Sequence, residues 1–318
     1  VSERLTGRAP VAVIGAGSIG VAFALVFARA GHLVVLSDPD AGRRSAVTGE
    51  VASRLEALQR HGLLSEAPEV ILERISTTAS MATAVTGAVL VQECIPELLE
   101  LKREIFAELD VLAAPDAILA SSSSALTAGA IAAGLPGAAR ILVAHPGNPP
   151  YLIPVIELVP ASATSAQTLE AARIMYSAAG LSPVVVHGEP EGFVFNRLQG
   201  AVLREAYALV RDGVASVEDI DTVVREGLGR RWCFMGPFET VDLNTRGGIE
   251  SHAAKMGPAY ARMGAERGQS DPWYPELVAE VAAQRRAVLP LDQWEERVAW
   301  RDEELMKRLN HTTKDSHE

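Results

Sequence analysis

The chain has 318 residues, 48% hydrophobic and 22% charged, ordinary for a soluble globular protein and long enough for about two domains. A formal net charge of −11 argues against a phosphate-tracking nucleic-acid surface. The two cysteines, Cys94 and Cys233, lie far apart without metal-ligand spacing, so neither a zinc site nor a disulfide framework is expected.

No apolar run of ~18–20 residues predicts a membrane span, and residues 1–10 lack the apolar core of a signal peptide, which fits a reducing, cytoplasmic setting. Val11-Ala12-Val13-Ile14 reads as a buried strand entering Gly15-Ala16-Gly17-Ser18-Ile19-Gly20. A helical pattern follows from Val21 to Ala30, then a second strand from Leu33 that ends in Asp38. GxGxxG alone is weak evidence. Between a strand and a helix, with an acid closing the next strand, it meets the requirements of a dinucleotide site. Gly15 allows the tight turn, Gly17 lets backbone N–H groups approach a pyrophosphate, and Gly20 lets the helix pack on the strand. Ser18 and Ile19 open the helix whose N-terminus favours that anion. Asp38 can accept hydrogen bonds from ribose hydroxyls and would repel a 2′-phosphate, so NAD is favoured over NADP. Arg43 and Arg44 could accommodate that phosphate, but are read as the solvated face of the next helix.

Residues 41–62 predict a long amphipathic helix with Val47, Val51, Leu55 and Leu58 inside, and 63–73 a loop or short helix. Further strands are expected near Ile75, over Ala88–Gln92 and over Ala117–Ala120. The second of these runs into Glu93-Cys94-Ile95-Pro96-Glu97 and a helix over 98–112. Glu97 and Lys102 either face the cofactor or form a surface pair. Ser121 to Ser124 end the next strand; their hydroxyls can donate to a ligand oxygen, or Ser124 or Thr127 can cap the helix that follows. Successive βα units without an internal repeat predict an α/β fold, with a doubly wound parallel Rossmann sheet over residues 1–189.

Arg140 to Ala144 reads as a buried strand with His145 at its end. Four prolines, at 146, 149, 150 and 154, then forbid a helix, and Val155 to Val159 forms another strand around Glu157. A histidine at a strand's carboxyl edge can act as a base while a nearby carboxylate fixes its tautomer. A turn histidine and an unrelated edge glutamate fit these residues as well. Val184 to Val186 is the last expected strand and 188–192 a linker. From Phe193 onward strand patterning stops, which predicts an all-α domain over 190–318. It opens with a helix over 193–210 carrying Asn196, which either faces a ligand crevice or makes a structural hydrogen bond. Gly227 to Phe238 reads as a glycine-bounded loop in which Arg230 or Arg231 clamps a carboxylate or is solvated. The remainder to Leu309 reads as helical, and Asn310 to Glu318 as a frayed polar tail.

GAGSIG, QECIPE, LELK, SSSS, HPGNPP and GFVFNRL together resemble the 3-hydroxyacyl-CoA dehydrogenase family over about residues 10–309. HPGNPPYLIPVIELVP, GFVFNRLQ, GLGRRWCFMGPFET and Trp300-Arg301-Asp302 are most similar to its lambda-crystallin/L-gulonate 3-dehydrogenase branch. The resemblance implies His145 as catalytic acid/base, Glu157 as its partner, and Ser124 and Asn196 beside the substrate oxygen. It also implies Glu97, Lys102 and Asn148 beside the nicotinamide half of NAD, and a helical domain that dimerises. Three positions depart from the family pattern. Gly147 replaces a bulkier residue, which is expected to loosen its turn, and Leu98 replaces a polar one. The loop from Gly229 to Gly236 is longer than usual and adds Arg231, which favours a free acid over a thioester. The expected activity is NAD-dependent oxidation of the 3-hydroxyl of a small, L-gulonate-like hydroxy acid by a cytoplasmic homodimer. A short-chain L-3-hydroxyacyl-CoA dehydrogenase and a non-catalytic, crystallin-like NAD-binding protein are the alternatives.

Overall fold

The structure, a computed structural model, describes residues 9–233, 236–244 and 248–268, with scattered positions from 276 to 307. Phe234, Met235, Trp300, Arg301, Asp302, Leu305 and the tail from Asn310 lie outside the described residues.

The first stretch alternates strand and helix: β1 (Val11–Ile14), α1 (Ser18–Arg29), β2 (Val34–Ser37), α2 (Ala41–Arg60), α3 (Pro68–Leu72), β3 (Ile75–Thr78) and α4 (Met81–Val85). It continues through β4 (Leu90–Glu93), α5 (Leu99–Leu112), β5 (Ile118–Ser121), α6 (Ala128–Ile131), β6 (Ile141–Pro146), β7 (Val155–Pro160), α7 (Ala166–Ala178) and β8 (Ser182–Val185). All eight strands form one sheet in the order β3-β2-β1-β4-β5-β6-β7-β8. Its first six strands have the dinucleotide-binding order, with the switch point between β1 and β4. Residues of β1 alternate between two cores. Val11 and Val13 pack with Phe23, Phe27 and Leu55 on one face, Ala12 and Ile14 with Phe106 and Leu119 on the other. Burial on both faces explains why inner strands such as β1 and β6 open as continuous apolar runs, whereas the edge strands β3 and β8 are partly exposed.

The sheet departs from the expected parallel pattern at one place. β6 and β7 are antiparallel, while β8 again runs parallel to β7. The connection from Gly147 to Pro154 is too short for a parallel crossover, which needs ~12 or more residues. Gly147 does not loosen this turn. A Cβ there would lie 2.5 Å from Ile153 Cγ2 and 3.0 Å from the Ile153 carbonyl oxygen, and the Gly147 N–H donates to Val155 O. The turn closes because the residue is glycine.

After β8 the described elements are helical: α8 (Phe195–Arg211), α9 (Val217–Thr222), a π turn (Val223–Leu228), α10 (Gly229–Trp232), α11 (Pro237–Asn244) and α12 (Gly248–Arg267). The stretch expected as a loop from Gly227 is therefore helical through Trp232. Gly229 suits the wide turn, because a Cβ there would sit 2.8 Å from the Val224 carbonyl oxygen. Residues through Arg197 belong to one compact unit and residues from Leu198 to Val298 to a second; the chain returns to the first from Ala299, and Met306 is buried in its core.

Two glycines of the first turn face opposite constraints. A Cβ on Gly20 would lie 1.9 Å from the Gly15 carbonyl oxygen, whereas one on Gly17 meets nothing within 4 Å. Gly20→Ala is expected to cost about 1–3 kcal/mol in urea unfolding, and Gly17→Ala to leave the midpoint nearly unchanged; equal midpoints for the two variants would contradict this packing.

Candidate active site

Gly15, at φ +102°, turns the chain out of β1 so closely that a Cβ would lie 2.8 Å from the Cys94 carbonyl oxygen. The turn therefore abuts the end of β4, at the switch point. α1 begins after Gly17 with no side-chain cap, and the space around Gly17 is open. First-turn N–H groups and open space are what an incoming pyrophosphate needs, so this turn fits NAD. Asp38, just past β2, accepts the Ala16 N–H at 2.7 Å and the Asp40 N–H at 2.9 Å. Arg43 is not simply solvated. Its Nε and Nη2 donate to the Ala16 carbonyl at 3.1 and 2.6 Å, and its Nη1 meets Glu50 at 2.9 Å. Arg44 donates to the carbonyls of Asp38 and Pro39. Arg43 braces the fingerprint turn, and Arg44 the chain leaving β2.

At the edges of β4 and β5, Lys102 is fully buried, which excludes a surface pair with Glu97. Its ammonium donates to Glu93 Oε1 and Oε2 at 2.7 and 2.9 Å and lies 3.5 Å from Glu97 Oε2. Glu97 Oε1 accepts from the Ser123 hydroxyl at 2.5 Å and from the N–H groups of Ser124, Ala125 and Leu126 at 3.0–3.2 Å. Partial burial opposes ionisation of Glu97, but the Ser123 hydroxyl, these N–H groups and Lys102 outweigh it and hold the carboxyl below its usual range. Thr127, not Ser124, caps α6. Ser124 is exposed, and its carbonyl accepts from Asn196 Nδ2 at 3.3 Å.

His145 and Glu157 are direct partners across the β6–β7 ladder, so both side chains project from one face. His145 Nδ1 and Glu157 Oε2 are 2.8 Å apart, and both residues are buried. Facing a carboxylate, Nδ1 is the donor, so in the neutral ring Nε2 is the acceptor nitrogen. Glu157 Oε1 accepts the Val194 and Phe195 N–H groups at 2.7 and 2.9 Å. Burial works against ionisation of Glu157, yet the bonds from His145, Phe195 and Val194 prevail and hold its carboxyl below the usual value. The imidazole packs against Phe193, with ring centroids 5.7 Å apart, and edge-on to Phe195 at 6.3 Å.

The sequence-predicted residues therefore form linked groups. His145 meets Glu157, Ser124 meets Asn196, and Glu97 meets Lys102 and the serine turn. Phe195 bonds to Glu157 while its neighbour Asn196 bonds to Ser124, so the first residues of α8 tie two of these groups together. Asn148 is exposed on the β6–β7 connection. Arg231 lies on α10 in the second unit, half-buried, next to Arg230, which pairs with Glu226 at 2.7 Å. Sequence reasoning missed Glu93 and the Phe193–Phe195 segment. A charged residue ending a buried strand, with a lysine nine positions later, was the available signal for Glu93.

Residues 10–189 match the NAD-binding domain of 3-hydroxyacyl-CoA dehydrogenases, and residues 192–288 match their C-terminal domain. The chain is 40% identical over 308 residues to the lambda-crystallin homolog of Bos taurus, covering 95% of each chain. It is 38% identical over 249 residues to an L-carnitine dehydrogenase of Pseudomonas putida, covering 78% of this chain and 77% of that one. The solved structure of the NAD-dependent 5-formyl-3-hydroxy-2-methylpyridine 4-carboxylic acid 5-dehydrogenase superposes with a TM-score of 0.82 at 27% identity, covering 96% of this chain and 99% of that one.

Because the Glu157 carboxyl is depressed in the fold, its stabilisation is fully present above its ordinary value of 4.5 and is lost as pH falls through the lower folded value. Glu157→Gln is expected to cost about 1.5–3 kcal/mol at neutral pH, the range for hydrogen bonds to a charged group. The gap between the variant and the parent protein in denaturant unfolding should narrow on acidification below 4.5. A gap that is constant with pH would contradict an ionised Glu157.

Proposed function

The chain belongs to the 3-hydroxyacyl-CoA dehydrogenase family, and on that footing we propose that it oxidises the 3-hydroxyl of a small free hydroxy acid, L-gulonate-like, with NAD as acceptor. The observation that carries this reading is the buried His145–Glu157 pair with Nε2 left available. The cofactor would be held by Gly15, Gly17, Ser18, Ile19, Gly20 and Asp38 at its adenosine half and by Glu97, Ser124 and Asn148 at the other, with the buried Lys102 acting from behind Glu97. When bound, NAD supplies the acceptor for the hydride that leaves C3. His145 Nε2 takes the hydroxyl proton, and Glu157 stabilises the imidazolium that results. Ser124 and Asn196 hydrogen-bond the substrate oxygen and support the charge developing on it. Ketone reduction uses the same groups in reverse, with protonated His145 as the acid.

Two of the relatives are named for free acids, L-carnitine and a pyridine carboxylic acid. Both names support a carboxylate substrate, with Arg231 as its charge-assisted partner. The same reading gives residues 1–189 to the cofactor and 190–318 to the substrate and to a homodimer contact in the cytoplasm. A short-chain 3-hydroxyacyl-CoA dehydrogenase is the second reading, favoured by the family match itself. A purely structural, crystallin-like NAD-binding role needs none of Ser124, His145, Glu157 or Asn196.

Turnover of gulonate against acetoacetyl-CoA, followed through NADH, separates the first two readings. His145→Ala is expected to bind NADH almost as the parent does and to lose roughly 10²–10⁴ in turnover; undiminished turnover ends the proposal. Arg231→Met should raise KM for carboxylate substrates only. An equal rise for neutral ketones removes the clamp.

A further inference from the structure

We propose that Glu93 is a positioning residue of this site: it holds the Lys102 ammonium beneath the ends of β4 and β5, so that Glu97 keeps the Ser123–Leu126 turn, and Ser124 with it, in place. The inference rests on the preceding reading of where the nicotinamide half binds. Glu93 is the last residue of β4, fully buried, and pairs in register with Ser121, the last residue of β5. One carboxylate serves both strand ends. Oε1 accepts from Lys102 at 2.7 Å and from the Ile95 N–H at 2.6 Å; Oε2 accepts from Lys102 at 2.9 Å and from the Ser121 hydroxyl at 2.6 Å. Ser121 Oγ in turn accepts the Ser123 N–H at 3.2 Å.

Lys102 thus has two counter-charges. Glu93 is in direct contact, and Glu97 stands off at 3.5 Å. That stand-off matters, because the other oxygen of Glu97 is shared among four donors of the serine turn. Without the Glu93 charge, a buried ammonium faces Glu97 alone, and attraction at low dielectric draws that carboxylate inward, off the turn. Buried ion pairs contribute little net stability relative to apolar replacements, so stability alone is a poor reason for one directly under this turn. Burial lifts the Glu93 carboxyl above its usual range, and Lys102 and the hydrogen bonds offset only part of that shift.

The test compares NADH with ADP-ribose, which lacks the nicotinamide, by calorimetric titration of the full chain. Glu93→Gln is expected to bind ADP-ribose as the parent does and to lose roughly tenfold in NADH affinity, the scale of one hydrogen bond to a charged group. In a Lys102→Met background the same change should alter NADH affinity by no more than about twofold, because Glu93 acts through Lys102. Three results overturn the proposal: NADH and ADP-ribose affinities falling together, unaltered NADH affinity in Glu93→Gln, or penalties at 93 and 102 that multiply. If Glu93→Gln does not fold, Lys102→Met and the double variant, in which both charges are gone, are compared instead; matching NADH affinities support the proposal and a further loss in the double variant overturns it. No substrate enters these titrations, so absence of turnover on any hydroxy acid sinks the proposed function without deciding the role of Glu93.

Discussion

The site depends on one pairing in the sheet, His145 opposite Glu157 across β6 and β7. In an antiparallel ladder, residues directly opposite each other point to the same side, so register alone brings imidazole and carboxylate within hydrogen-bond reach. A slip of one residue would send one side chain to the other face. The register is enforced from both directions. Backbone pairs run from Leu142 with Pro160 to Pro146 with Ile156, and Gly147 closes the open end where no Cβ fits. The reversal of strand direction inside a parallel sheet is thus the feature that builds the dyad.

The second face of the dyad is built by the chain leaving the sheet. Between Gly188 and Phe193, four residues have positive φ: Gly188 at 80°, Glu189 at 50°, Gly192 at 75° and Phe193 at 50°. Non-glycine residues hold such conformations at a cost of about 1–3 kcal/mol each, and only where surroundings over-determine them. Here they do. Glu189 accepts the Gly129 N–H at 2.7 Å, and Phe193 is fully buried with its ring against His145. The next two N–H groups then reach Glu157. The bent segment both walls the imidazole and fixes the carboxylate that orients it.

Features carried by local pattern were legible in the sequence. The strand–glycine–helix fingerprint, Asp38, the proline-broken link between the strands of His145 and Glu157, and the end of strand patterning at Phe193 each follow from residues within a short window, whereas the antiparallel pairing of those two strands does not. What was not legible depends on partners distant in sequence. Lys102 reads as cofactor-facing or as a surface partner of Glu97 until Glu93 is found beneath it, and Arg43 as a solvated residue until the Ala16 carbonyl is found within its reach. Gly147 and Gly229 look like loosening or loop-forming residues, but each is required by one carbonyl oxygen or side chain at close range. Periodicity reports which face a residue lies on, and does not report who stands opposite.

The remaining question is how a chain of net charge −11, with Asp38, Glu93, Glu97 and Glu157 at the edges of one sheet, can accept an anionic dinucleotide. Each of these carboxylates has donors aimed at it. Asp38 takes two backbone N–H groups, Glu97 three N–H groups and a hydroxyl, and Glu157 two N–H groups and an imidazole. Glu93 takes an ammonium, an N–H and a hydroxyl. Oriented donors stabilise each acid and offset part of its field at close range, and screening weakens what the rest of the surface contributes beyond ~10 Å. At the fingerprint turn the Asp38 carboxylate is taken up by the Ala16 N–H, and the start of α1 carries no side-chain cap, so its first-turn N–H groups remain for an anion. Acids held in this way can serve as scaffolding at the edge of a sheet whose fingerprint turn still offers free N–H groups to an anion.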